Sequence, residues 1–468
     1  MSRNYFSRLV LMLFATAGLL QKANSQHVLS LKDAIQTALN NYGTIKAKAN
    51  YVNASKASVK LSEREYLPDL SVSLQQDYGT VNGQTGPLYG YKGLSTASSG
   101  PALASQNWNS AFGALYLTNI NWDFYSFGRA KEKIKVSQTL LQTDVSDLQQ
   151  EKFQHEVRVA AAYLNLLAAQ RIVKSQQDNL ARASNLRDVV VARVKTGLNA
   201  GVDSSLSNAE VSNARLSLTR AIDNAQEQAN QLAQLMGVPP VDFSLDTVFI
   251  TRIPVSLYDS VAVKHEDHPL LKFYHDRILT SDEQVKYFKT FNYPTFSLFG
   301  VLQGRGSGFD NDYGALNTGA FTHNYWDGVN PMRTNYLVGL GMIWNLTSPL
   351  RVKQQVNAQK LRSRAMADEY EVIDQRLHDQ EILSDTKIKN AVSNYMEAPI
   401  QLKSASDAYL QKTVLYKNGL SNIVDVTQTL YALNRAETDR DIAYSNVWQA
   451  LLLRAAATGD FGLFINQF

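Results

Sequence analysis

Apolar positions along this chain change period twice, and the order of changes is then repeated. Leu29, Leu31, Ile35, Ala38 and Leu39 recur at helical spacing, in a pattern that runs on to about Tyr66. Pro68 ends it, because a proline disfavours helical geometry in the residue before it. Leu70, Val72 and Leu74 then alternate with Ser71, Ser73 and Gln75. Further on, Thr118, Ile120, Trp122 and Phe124 alternate with Asn119, Asn121 and Asp123. These period-two runs predict strands over 69–79 and 111–124. From 128 to 236 the helical period returns. Ile134, Leu141, Val145 and Leu148, then Leu166, Val173 and Leu180, form a coiled-coil stripe, with no glycine between Arg129 and Lys195. The helix reverses near Gly197 and Gly201 and returns to about Met236, where Gly237 and Pro239-Pro240 stop it.

The second half follows the same plan. A helix starting near Tyr258 passes through Leu270, Leu271, Ile278 and Val285 and ends before Pro294. Strands are predicted over 295–303 and 335–346, and a long helix pair over 351–457 turns at Gly419. The two turns nearly share a sequence: Lys195-Thr-Gly-Leu-Asn-Ala-Gly-Val-Asp203 and Lys417-Asn-Gly-Leu-Ser-Asn-Ile-Val-Asp425. Gly197 and Gly419 lie 222 residues apart (197 to 419), as do Trp122 and Trp344. A unit this long is not a solenoid repeat and predicts a duplicated protomer with pseudo-symmetry. The domain plan is 26–250 for the first repeat, 251–459 for the second and 460–468 for a C-terminal tail. One departure stands out: Pro399 interrupts the second long helix and predicts a kink or break there.

Strands of about ten residues with aromatic ends are the signature of transmembrane β-strands. On these strands alone, a soluble hairpin with one buried face is the competing reading. Four strands cannot close a membrane barrel, so the membrane reading requires several chains to share one. Between the strands of each pair lies a polar connection, Val81–Asn109 and Gly304–Arg333, rich in Gly, Ser and Asn. Tyr89, Tyr91, Phe309, Tyr313, Tyr325 and Trp326 are scattered through them. His323 and Gly304-Arg305-Gly306-Ser307-Gly308 have no ligand or phosphate spacing and read as exposed loop.

Composition narrows the choices. Residues 1–25 have the build of a secretory signal: Arg3 and Arg8, then an apolar core over Leu9–Leu20, then small residues at Ala23-Asn24-Ser25. Removing them takes Arg3, Arg8 and Lys22 and no acid, so the formal charge falls from +4 to +1 and gives a nucleic-acid partner no bulk support. Cysteine is absent, which excludes disulfides and a lipid-modified cysteine. No later segment approaches the roughly 20 apolar residues of a membrane helix, so membrane residence requires a barrel. The thin apolar stripes of the long helices need neighbours along their whole length, which predicts oligomerisation. His265, His268 and His275 cluster with Glu266 and Asp267, but His268 precedes Pro269 and no third ligand is well spaced. No Walker-type loop and no nucleophile–base motif occurs. No enzyme, cofactor or metal is expected.

The duplicated order, the strand pairs and the Lys-x-Gly-Leu-x-x-x-Val-Asp turn of both halves resemble the TolC-like outer-membrane efflux proteins across essentially the whole mature chain. Gly128-Arg129 and Pro349-Leu350-Arg351, which open the long helices, fit the same pattern. The resemblance implies a mostly α protein with a membrane β-barrel. In it a trimeric α-helical barrel continues into a shared twelve-stranded β-barrel, with four strands per protomer and an internal twofold repeat. It implies a passive exit duct in the outer membrane whose helical tube extends into the periplasm, there meeting a periplasmic membrane-fusion adaptor and, through it, an inner-membrane pump of RND or ABC type. Small molecules are the expected cargo. Type I protein secretion is the alternative within the class, and a secreted coiled-coil scaffold or adhesin the alternative outside it. Gly197, Leu198, Gly419 and Leu420 match the adaptor-contacting helix tips. Asp425 matches an aspartate lining the periplasmic entrance, where three copies would favour cations and bind multivalent blockers. Tyr416 matches a tyrosine that holds the entrance closed, and Asp203 its first-repeat partner. Helix capping is the competing role for both aspartates, since each precedes a new helix; it is the simpler one for Asp203, and pore lining the preferred one for Asp425. Gln428 replaces a second aspartate of some members, and Ser421 replaces an arginine that would bridge to Asp203.

Overall fold

The computed structural model describes residues 28–83, 100, 102–254 and 265–467. The expected signal segment, the helix start near Tyr258, and Tyr89 and Tyr91 lie outside the described residues. The chain is built from α1 (Leu31–Asn41), α2 (Gly43–Arg64), β1 (Asp69–Thr80), β2 (Ser110–Tyr125), α3 (Arg129–Lys195) and α4 (Gly201–Met236). A short α5 (Val248–Thr251) precedes α6 (Pro269–Lys289), β3 (Thr295–Ser307), α7 (Tyr325–Val329), β4 (Arg333–Ile343), α8 (Ser348–Lys417), α9 (Ile423–Thr458) and α10 (Gly462–Ile465). Helix, two strands, a very long helix and a shorter one thus occur twice in order. At about 1.5 Å per residue, α3 with 67 residues and α8 with 70 are each roughly 100 Å long. α8 is unbroken: Pro399 sits inside it with its ring exposed. The predicted break does not occur, because proline removes a single helical hydrogen bond and its ring meets solvent rather than a packed neighbour.

Two compact units form, each drawing on both halves of the sequence. The first holds residues up to Val52, Thr143–Asp276 and Ala367–Phe468. Its core joins α1, α3, α4, α5, α9 and α10 through Leu31, Tyr163, Leu166, Leu232, Phe249, Trp448 and Phe464. Ser30 caps α1 by accepting from Asp33 N at 3.1 Å, and the face Leu31, Ala34, Ile35 and Ala38 is buried. Tyr163 is fully buried. Its hydroxyl donates to Leu29 O at 2.7 Å and accepts from Asp246 N at 3.0 Å, and burial raises its pKa. Trp448 Nε1 donates to Arg252 O at 3.0 Å. The last residues, which the sequence suggests are a tail, contribute Phe464 to this core, completely buried and edge-on to Trp448.

The second unit holds Asn53–Gln142 and Arg277–Met366 and contains an antiparallel sheet in the order β1-β2-β3-β4. Register fixes its faces, since directly paired residues point the same way. Leu70 pairs with Ile120, Val72 with Thr118 and Leu74 with Tyr116; Leu302 pairs with Tyr336, Gly300 with Val338 and Leu298 with Leu340. That face is apolar and bare: Leu70, Val72, Leu74, Tyr336, Val338 and Leu340 are all at least 69% exposed. The opposite face is the more polar one: it carries Asp69, Ser71, Ser73, Gln75 and Asp77 from β1, Asn119 and Asn121 from β2, and Gln303 and Arg305 from β3, with Leu115, Leu117, Phe299, Val301 and Leu337 among them. β1 and β4 are edge strands, each with one side unpaired among the described residues. At the helical end of the sheet, Trp122 Nε1 donates to Tyr66 O (2.9 Å) and Trp344 Nε1 to Asn292 O (3.1 Å). The two tryptophans therefore hold matching helix ends. The same correspondence joins Ser62 to Ser137 and Ser281 to Ser363, each hydroxyl pair 2.8 Å apart.

Candidate functional site: the two helix turns

The α3–α4 and α8–α9 turns are both in the first unit and share one backbone solution. Gly197 has φ +76° and Gly419 φ +78°. Leu198 N bonds Arg193 O at 2.9 Å and Gly197 N bonds Val194 O at 3.0 Å. In the second turn Leu420 N bonds Leu415 O at 2.9 Å and Gly419 N bonds Tyr416 O at 3.0 Å. This doubly bonded helix end requires a left-handed residue, which glycine supplies without strain. The following apolar residue usually folds back onto its helix. Here Leu198 and Leu420 are instead 68% and 74% exposed, so both turns present a bare leucine.

The side chains differ. In the first turn Ala200 is the N-cap of α4 and makes no side-chain bond; Asp203, three residues in, is not the cap. Its carboxylate accepts from Asn199 Nδ2 at 2.7 Å and, among the described residues, forms no ion pair. In the second turn Asn422 caps α9 by accepting from Asp425 N at 2.9 Å. Asp425 Oδ2 receives Lys412 Nζ and Ser421 Oγ, both at 3.0 Å. The lysine bond, then the serine bond, lowers the Asp425 pKa. Gln428 is exposed and contributes no charge.

The turns are linked to each other. Tyr416 is 2% exposed, packed with Leu186, Val190, Ile423 and Val426, and burial raises its pKa. Its hydroxyl accepts from Asn199 Nδ2 at 3.1 Å. Arg193 reaches across from α3: Nη1 donates to Lys417 O (2.7 Å), Nε to Asn199 Oδ1 (2.8 Å), and the guanidinium lies 5.4 Å from the Tyr416 ring centre. Further along, Tyr431 bonds Glu210, and Arg182 grips Glu437 through Nη1 (3.1 Å) and Nη2 (2.6 Å).

The structure therefore brings Asp203, Tyr416, Gly197, Gly419 and Asp425 into two neighbouring turns. It supplies three residues the sequence argument missed: Arg193, Asn199 and Lys412. Arg193 had one visible signal, the asymmetry between the turns, since Leu415 holds its place in the second. Lys412 had none, lying 13 residues before Asp425 across a turn. The serine at 421 does not reach Asp203; it turns back to Asp425. The histidine cluster separates: His268 Nε2 bonds Ala456 O at 3.1 Å and Nδ1 accepts from Leu270 N at 3.1 Å.

The family model described as outer membrane efflux protein matches residues 34–238. The fold matches solved outer-membrane channels. VceC of Vibrio cholerae is 15% identical with a TM-score of 0.72, covering 92% of this chain and 96% of that one. The Campylobacter jejuni channel CmeC is 15% identical at TM-score 0.73, covering 92% and 85%. The open-state Neisseria gonorrhoeae channel MtrE is 15% identical at 0.70, covering 92% and 89%. No curated protein sequence matches the chain significantly. Over its first repeat the chain resembles the outer membrane efflux protein family, and its fold is that of these solved outer-membrane channels.

Proposed function

We propose that three copies of this chain close one twelve-stranded barrel and one periplasmic helical tube, forming a passive exit duct for small molecules. The observation that carries this is the sheet: four strands, two edges open among the described residues, one bare apolar face and one more polar face. Unpaired edges are excluded from lipid, so the edges must pair with other copies. The long helices support the same conclusion. On α8, Ile382, Met396 and Leu410 recur two heptads apart, as do Ile400 and Val414, all at least 50% exposed. Such a stripe is stable only against a neighbouring helix. Unheated gel electrophoresis and native mass spectrometry of detergent-extracted membranes test the assembly. A trimer is expected, and a monomer overturns it.

In this duct the two turns form the periplasmic entrance. Gly197, Leu198, Gly419 and Leu420 offer apolar tips to a membrane-fusion adaptor, which connects the duct to an inner-membrane pump. Asp203 and Asp425 line the constriction, with Gln428 one helical turn beyond, while the buried Tyr416 holds the two turns together behind them. Two contacts stand in for the arginine that Ser421 replaces: Arg193 on Lys417 O and Asn199 on Tyr416. Lys412 partly neutralises Asp425 at 3.0 Å, so the acidic ring is weaker than the aspartate alone suggests. Replacing Lys412→Ala is expected to increase block of single-channel current by multivalent cations from the periplasmic side, severalfold in blocker concentration. Asp425→Ala is expected to abolish that increase. Equal block in wild type and Lys412→Ala places the constriction elsewhere.

A further inference from the structure

The β3–β4 connection, residues 308–332, does not project freely from the sheet. It doubles back onto one face of it, and the register identifies which. Tyr116 OH donates to Val329 O at 2.9 Å and Tyr325 OH to Gln76 Oε1 at 2.9 Å. Phe112 meets Tyr325 edge-on at 5.2 Å and Tyr78 at 4.7 Å. Gln76, Tyr78, Phe112 and Tyr116 share the side of the sheet that bears Leu70, Val72 and Leu74. The strap therefore lies on the apolar face and not on the polar one.

β3 is shaped to receive it. Gly304 and Gly306 fall on that same face. A Cβ at Gly306 would lie 2.6 Å from Gly328 O and 2.7 Å from Asn330 O, and one at Gly304 would touch Pro331. A side chain at Gly306 would lift the strap off the sheet, and one at Gly308 would meet Thr322 O at 2.9 Å, which gives these two glycines a packing role; Gly304 leaves ordinary contact room. More bonds fasten it: Met332 N to Arg305 O (2.8 Å), Thr322 N to Gly308 O (2.8 Å) and Asn109 Nδ2 to Thr318 O (2.8 Å).

What the strap turns outward is apolar. Trp326 is 69% exposed and Met332 59%, beside Tyr336 at 83%. From Trp344 to Tyr336 is eight residues, about 27 Å along the strand at ~3.4 Å per residue and roughly 21 Å along the membrane normal at a tilt of about 40°, most of the roughly 25 Å apolar band of an outer-membrane barrel. Tyr336 thus marks the end of the band remote from the helices. The strap carries Asp310, Asp312 and Asp327, all exposed, and no lysine or arginine. Three carboxylates exclude it from hydrocarbon but not from the headgroup boundary.

We infer that residues 308–332 form an interfacial anchor on the outside of the barrel, docking Trp326 and Met332 at the acyl–headgroup boundary of the outer leaflet. Tryptophan suits that position, with an apolar ring body and one N–H. The strap consequently holds no lid over the barrel mouth. The inference rests on the proposed barrel, and the experiment separates the two. Because the chain has no cysteine, single variants Trp326→Cys, Met332→Cys, Asp312→Cys and Leu340→Cys take a nitroxide label uniquely. They are compared in phosphatidylcholine–phosphatidylglycerol bilayers by collision with oxygen and with a water-soluble nickel chelate. The labels at 326 and 332 are expected to show an oxygen-to-nickel ratio severalfold above that at 312 and below that at 340. Ratios at 326 and 332 equal to that at 312 overturn the anchor while leaving the barrel. Labels at both positions shielded from both reagents also overturn it, because another copy of the chain then covers the strap. A water-like ratio at 340 overturns the barrel itself.

Discussion

The α3–α4 and α8–α9 turns have nearly superimposable backbones and opposite chemistries. Each ends its long helix with a glycine near φ +77° and two closing hydrogen bonds. Around that common frame the first turn supplies the grip and the second is gripped. Arg193 and Asn199 reach out, while Tyr416 and the Lys417 carbonyl receive them. Asp203 is held by a neutral amide, Asp425 by a lysine. The backbone is a local property that any sequence with the Lys-x-Gly-Leu turn adopts. The side chains between turns are free to diverge, and they are what joins one hairpin to the other.

That comparison can be broken at defined places. The largest effect is expected at Tyr416→Ala, which empties a buried aromatic site and costs about 3–5 kcal/mol. Hydrogen exchange at the Leu420 amide should accelerate accordingly, and Tyr416→Phe should recover all but about 1 kcal/mol. Arg193→Ala removes a charge-assisted bond to a carbonyl and should cost roughly 1.5–3 kcal/mol. Exchange then rises at both Leu198 and Leu420; a change at Leu198 alone would mean the turns are not linked. A smaller exchange of roles tests the caps. Asn422→Ala should destabilise α9 by about 1 kcal/mol, whereas Ala200→Asn should stabilise α4 by a similar amount.

The smallest effect separates the turns by pH. The Asp425 pKa is lowered from its ordinary 3.8. Its contribution is therefore complete above 3.8 and disappears as pH falls through the lowered value. The Tyr416 pKa is raised from 10. Its contribution is complete below 10 and is lost as pH climbs through the raised value. Exchange at Leu420 should accordingly respond at both extremes, and Lys412→Ala should shrink the acidic response only.

Much of this architecture was legible because its signals are local. The alternation of Leu70, Val72 and Leu74 with serines is enough to predict a strand with one wet face. Gly197 and Gly419 announce helix ends through the conformation only glycine takes readily. Pro399 misled as to a break, since the helix, seventy residues long, continues past a single missing bond with the proline ring on its exposed side. The stretch Gly304–Gly308, with no ligand or phosphate spacing, reads as exposed loop, yet residues up to Ser307 belong to β3. Its reason, a strap of chain crossing that very surface, lies more than twenty residues downstream. Likewise nothing near Asp425 advertised Lys412, and nothing near Phe464 advertised a place in the core beside Trp448.

Residue order alone is enough to predict the succession of elements, the turns and the alternation of wet and apolar positions along the strands. Each follows from torsional preference or from the period of hydrophobic positions within a dozen residues. Only the tertiary structure decided which side chains meet across the turns, which face of the sheet the strap covers and where the last residues pack. Those outcomes depend on distances between residues far apart in the chain, and these exist only once long helices and paired strands have brought them together.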